Sequence, residues 1–145
     1  MNKSMDINVG YGCNLTGVLL SIKPRFVEAM ERNEKHYEFR KTIFDENKVS
    51  QAFIYTTAPV KKITASFRVG EIIRAAPDEL WARFGNVSGL SEEEFFAYYS
   101  GRAFGYAIKI EEFHRYDEPI DPYDEDGFVP PQSFQYVSSD DFGPR

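Results

Sequence analysis

Apolar and polar positions divide this chain into short elements. Residues 18–22 (VLLSI) form an apolar run, the pattern of a buried strand. Pro24 then fits the first turn of a helix, where its missing N–H costs nothing. Phe26, Val27 and Met30 share one face of that helix, with Glu28, Glu31 and Arg32 toward solvent. Asn33 is placed to end it in a left-handed conformation. Residues 35–41 alternate: Tyr37 and Phe39 point one way, His36, Glu38 and Arg40 the other. After a polar connection over 43–50, residues 52–56 and 63–73 read as strands, with Gly70 allowing a bulge or bend in the second. Pro77 opens a helix over 78–84 with a stripe of Leu80, Trp81 and Phe84. Ser91 and Glu94 make a capping box for a helix over 92–99, which Gly101 stops. Both helices read as structural cover. The longest strand covers 104–116 and is broken by Pro119 and Pro122. Residues 130–137 are the last ordered piece; the tail after Ser138 is polar and frayed. Residues 1–17 show no sustained periodicity and read as a loose extension or a small added strand. The sum is an α+β domain over 18–137, mostly antiparallel, built on a small, partly open β-barrel with short peripheral helices. Residues 138–145 form a polar C-terminal tail.

Composition changes this picture little. A chain of 145 residues is most simply one domain, and its 16% aromatic content favours sheet. Cys13, the single cysteine, has no partner for an internal disulfide, which fits a reducing, cytoplasmic setting. No apolar run approaches the roughly 20 residues of a membrane span, and the N-terminus lacks a signal peptide pattern. The acidic loop over 121–127 fails as a calcium loop: with Gly127 in the turn position, Pro122 and Ser133 would occupy the first and last ligand places. His36 and His114 lack metal-ligand spacing. No metal, cofactor or membrane partner is expected.

Charge matters through its distribution. The net charge of −6 argues against a general grip on nucleic acid. Residues 18–70 nevertheless hold ten Lys/Arg against six Asp/Glu, whereas residues from 71 onward hold six against sixteen. A basic face in the first half is thus open, beside the reading of a mixed solvated surface. Lys23, Lys35, Glu38 and Arg40 lie where the chain twice enters or leaves regular structure, and are expected to converge on a cleft. Glu38 and Arg40, two apart on a strand, are readable as a plain ion pair. They are also readable as recognition groups, Arg40 offering a planar fork to a phosphate or base edge and Glu38 accepting from an exocyclic amine. Lys23 and Lys35 would then neutralise a phosphate. Lys35 qualifies as a base only where burial or cationic neighbours lower its pKa.

The blocks SIKPRFVEAMERNEKHYEFRK, FIYTTAPVKKITASFRVGEII, SEEEFFAYYSGRAFGYAIKI and PPQSFQY together resemble an ASCH-domain protein of the PUA-like superfamily, over residues 18–137. The family's Gly-x-Lys-x-x-x-Glu-x-Arg-like run appears here as residues 33–40. Asn33 stands in place of Gly, and Glu38 follows Lys35 by three. The resemblance implies a β-barrel with a cleft beside the first helix, where related domains bind RNA or modified bases. Tyr55, Thr56 and Thr57 would form its rim, unless the threonines only cap the strand end. Gln132, Ser133 and Phe134 would close it from the C-terminal side, Phe134 either stacking on a base or serving the core. Two functions follow. The first is a binding module for RNA, a modified base or a nucleotide. The second is a small hydrolase, an amidohydrolase on N4-acetylcytidine or a ribonuclease, with Lys35 and Glu38 or Glu71 in acid–base roles. In the amidohydrolase type a Thr follows the motif Lys by three; Glu38 stands there, which favours the first. A protein-interaction module acting through the acidic second half is a third reading.

Overall fold

Six strands form one mixed sheet in the computed structural model, which describes residues 16–143. They are β1 (Thr16–Ile22), β2 (Tyr37–Arg40), β3 (Val49–Thr56), β4 (Lys62–Ala75), β5 (Gly105–Ile120) and β6 (Phe134–Ser138). Their order across the sheet is β2-β5-β4-β3-β1-β6. The β1–β3 pair is parallel and the other four are antiparallel. The helices are α1 (Pro24–Glu31), α2 (Pro77–Phe84) and α3 (Glu92–Tyr98). Among the described residues, no helix is long and apolar enough to cross a membrane.

β1 and β3 are covered on both faces. Val18, Leu20 and Ile22 join Ala52, Ile54 and Phe67 in a core that α1 closes with Val27 and Met30. Leu19 points the other way, to Phe53, Tyr55, Ile63 and Tyr116. A separate cluster lies under α2 and α3, where Phe39, Ala75 and Ala107 meet Leu80, Phe84, Phe95 and Tyr99. Pro24, Pro77 and the Ser91–Glu94 capping box start their helices as the sequence predicts. Asn33 takes the left-handed conformation after α1 (φ 63°).

The expected barrel is corrected: the sheet is open, with β2 at one edge and β6 at the other. Among the described residues, β2 has four residues and pairs only with β5, and no backbone ladder closes the seam. Side chains close it instead. Arg40 on β2 reaches the carbonyls of Ser21 and Ser133, at 3.1 and 2.9 Å. Thr42 bonds Ser133 through their hydroxyls (3.0 Å), and Phe44 stacks edge-on against Phe134. β2 and β1 stand four strand spacings apart, roughly 19 Å in a flat sheet, so these contacts require strong curling.

Other boundaries also move. The polar stretch 43–50 contains Phe44, which is buried in the main core. β5 continues through Pro119 to Ile120; there β5 is paired on one side only and its register with β4 slips, and such positions tolerate a missing N–H. The tail is tied down: Phe142 stacks on Phe53, and its carbonyl accepts from the Tyr116 hydroxyl. β1 begins at Thr16; the rest of the N-terminal extension, with Cys13, lies outside the described residues.

Candidate functional site

A cleft of about 590 Å³ opens between α1, α3 and the seam. Its floor is a line of three buried charges. The left-handed turn at Asn33 lets the amides of Glu34 and Lys35 both donate to the Ala29 carbonyl. Lys35 is thereby turned inward and is 3% exposed. Its Nζ donates to the Ser88 carbonyl at 2.6 Å and lies 3.6 Å from Glu38 Oε1. The rings of Phe26 and Phe39 stand 5.1 and 5.3 Å away. Gly89, at φ 77°, crosses the alkyl chain so closely that a Cβ there would come 3.1 Å from Lys35 Cδ. Burial pushes the Lys35 amine below its ordinary pKa; Glu38 pulls it back, and the charges of Arg40 and Arg25 add to the lowering. This is the direction that a proton-accepting lysine needs.

Arg40 is almost fully engaged by the protein. Its Nε and Nη2 both lie 3.0 Å from Glu38 Oε2, while Nη1 and Nη2 hold the Ser133 and Ser21 carbonyls. The guanidinium that the sequence offers to a phosphate is aimed at its own chain, across the seam. It acts as a brace that fixes Glu38 beside Lys35.

Lys23, exposed at the N-cap of α1, and Gln132 line the same cleft, so the structure brings together Lys23, Lys35, Glu38, Arg40 and Gln132. It places the remaining candidates elsewhere. Tyr55 is buried in the opposite core with its hydroxyl on Tyr123 (2.6 Å), and burial pushes its pKa up. The Thr56 and Thr64 hydroxyls pair with each other at 2.6 Å. Thr57 ties the strand end to β1 through its amide, which donates to the Ile22 carbonyl. Phe134 packs against Phe44 in the main core, and Ser133 enters through its carbonyl. Glu71 is exposed on β4, outside the cleft lining.

The far wall is built from residues that the sequence does not single out for function. Arg25, Phe26, Leu90, Glu94, Phe95 and Tyr98 also line the cleft, and an Arg25–Glu94 ion pair links α1 to α3. Glu94 and Tyr98 are four apart and share a face of α3, a spacing that marks a polar strip on a helix read only as cover. The Tyr98 hydroxyl reaches the Phe39 carbonyl at 3.4 Å, and burial raises its pKa. Ser88 carries no signal in the sequence because it contributes a backbone carbonyl. Among the described residues, no group of three His, Cys, Asp or Glu is placed to hold a metal.

Likeness to known proteins fits this geometry. The model of the family described as "Domain of unknown function (DUF365)" matches residues 15–136. A Zymomonas mobilis protein named "ASCH domain-containing ribonuclease" is 28% identical over 130 residues, covering 85% of each chain. Proteins of Ureaplasma parvum serovar 3 named "Large ribosomal subunit protein uL22" are 27% identical over 121 residues. This chain spans only 39% of their length. The crystal structure of ASCH from Zymomonas mobilis superimposes with a TM-score of 0.78 at 26% identity, covering 86% of this chain and 89% of that one. The chain therefore belongs to the DUF365 family, and its resemblance to ASCH-domain proteins of the PUA-like superfamily holds in both sequence and fold.

Proposed function

We propose that the cleft recognises RNA by taking up one nucleotide of a strand. Its base or sugar approaches the Lys35–Glu38 pair at the floor, and its phosphate meets Lys23 and Arg25 at the mouth. The observation that carries this reading is a lysine and a carboxylate, both buried, at the floor of a nucleotide-sized cleft with Phe26 and Tyr98 in its walls. The net charge of −6 requires that such affinity be local, which Lys23 at the cleft entrance supplies, together with Arg25, shared with Glu94. The Zymomonas relative's name makes RNA the leading ligand class. Binding of a short single-stranded RNA, followed by fluorescence anisotropy, tests the reading. Lys23→Ala and Lys35→Met are each expected to weaken it by about threefold to tenfold; unchanged affinity in both variants removes the proposal.

Cleavage of RNA is the second reading. It is favoured by the lowered pKa of Lys35, which leaves more unprotonated amine at neutral pH than an ordinary lysine has. Glu38 is the adjacent carboxylate, and Glu71, outside the cleft, takes no part. Incubation with short RNAs and with N4-acetylcytidine decides it. Turnover that Lys35→Met abolishes establishes catalysis, and its absence with both substrates leaves recognition alone.

A further inference from the structure

A second hollow, of about 270 Å³, is walled by Lys41, Arg74, Arg102, Ala103, Phe104 and Tyr106. Strand register builds it: Arg74 on β4 pairs with Tyr106 on β5, which pairs in turn with Arg40 on β2, next to Lys41. The loop after α3 brings Arg102 and Phe104 over this row. Eight arginines lie among the described residues, and six of them form ion pairs. The two without one, Arg74 and Arg102, both line this hollow, and no carboxylate among the described residues does. Phe104 is 47% exposed, and the Arg74 guanidinium lies 4.0 Å above its ring. Unpaired arginines beside an exposed aromatic ring are the components of a single-strand nucleic-acid platform: cations for phosphate, a π-face for a base.

The hollow is also connected to the cleft. Tyr98 lines the cleft, and the Lys41 ammonium lies 4.6 Å above its ring while also lining the hollow. A strand leaving the cleft over Tyr98 would meet Lys41 and then the two arginines.

We propose that this hollow is a second RNA subsite. It takes a nucleotide next to the one in the cleft, with the phosphate against Arg74 and Arg102 and the base against Phe104. The inference rests on the RNA-recognition reading of the cleft, and two ligands separate the two. A nucleoside monophosphate occupies the cleft alone, whereas a single-stranded RNA of about eight nucleotides spans both. In the full chain, the double variant Arg74→Ala/Arg102→Ala is expected to weaken octamer binding about tenfold, and Phe104→Ala about fivefold. The double variant also lowers the slope of log affinity against log salt by about 0.7 for each phosphate it no longer neutralises. Monophosphate affinity stays at the wild-type value. Octamer affinity and salt slope equal to wild type overturn the subsite, as they would if the hollow instead served an acidic protein. Octamer binding weakened by the hollow variants but not by Lys35→Met or Lys23→Ala supports the hollow and removes the cleft reading. A wild-type chain that binds no RNA overturns both.

Discussion

Arg40 and Lys35 in the cleft are 9% and 3% exposed, and their donors are turned to Glu38 and to the carbonyls of Ser21, Ser88 and Ser133. Arg74 and Arg102 in the neighbouring hollow stand in solvent without an ion-pair partner among the described residues. The two regions hold the same kinds of residue and do different work. In the cleft, Arg40 links the two sides of an open sheet, and Lys35 and Arg40 both turn toward Glu38. In the hollow the cations face solvent, Arg74 lying over the Phe104 ring and Lys41 over Tyr98. A count of basic residues along the chain cannot separate these cases, because the difference lies in whether backbone carbonyls come within reach.

The contrast breaks most visibly at Arg40. Arg40→Ala leaves Glu38 buried without its main partner and cuts the side-chain link across the seam. It is expected to cost about 3–5 kcal/mol of unfolding free energy, measured by urea denaturation. Arg74→Ala is expected to fall within about 0.5 kcal/mol of wild type. Equal losses at the two positions would erase the distinction between brace and solvent-facing cation. Gly89→Ala comes next. It forces a left-handed residue to carry a Cβ and crowds Lys35, at an expected cost of about 1–2 kcal/mol; the same denaturation series reads it.

Lys35 sharpens the comparison through pH. Its folded pKa lies below the ordinary 10.5, so between the lowered value and 10.5 the unfolded chain binds more protons. Stability contributed by this group therefore rises with pH across that window. Lys35→Met removes the rise, and the alkaline limb of its stability profile is expected to be flatter than wild type. An identical profile in both proteins would show that the amine titrates as in the unfolded chain. The smallest effect is expected at Glu94→Gln. It keeps the capping arrangement at Ser91 but releases Arg25, so RNA binding strengthens about twofold to threefold. Titration with labelled RNA checks it, and weaker binding would count against Arg25 as a phosphate ligand.

Much of the fold is legible because local chemistry marks it. Pro24, Pro77, the capping box and the alternation around Tyr37 and Phe39 each give one local answer, and the structure follows them. Barrel closure is not legible. It depends on whether a four-residue strand finds a second backbone partner, which no local pattern encodes. The site divides in the same way. Lys35, Glu38 and Arg40 stand out by their spacing, but the carbonyls that engage Arg40 come from Ser21 and Ser133, 19 and 93 residues away. Thr56 resembles a ligand group in the sequence because its partner Thr64, eight residues on, meets it only across the β3–β4 pair. Glu94 and Tyr98 are masked by the aromatic residues that make α3 resemble plain cover.

The central claim is that one nucleotide sits on the Lys35–Glu38 floor. A crystal structure of the full chain soaked with a nucleoside monophosphate tests it most directly. The account predicts a phosphate within hydrogen-bonding distance of Lys23 or Arg25, and the base or sugar between Phe26 and Tyr98 above Lys35. A nucleotide bound elsewhere, with the cleft empty at saturating concentration, would contradict it.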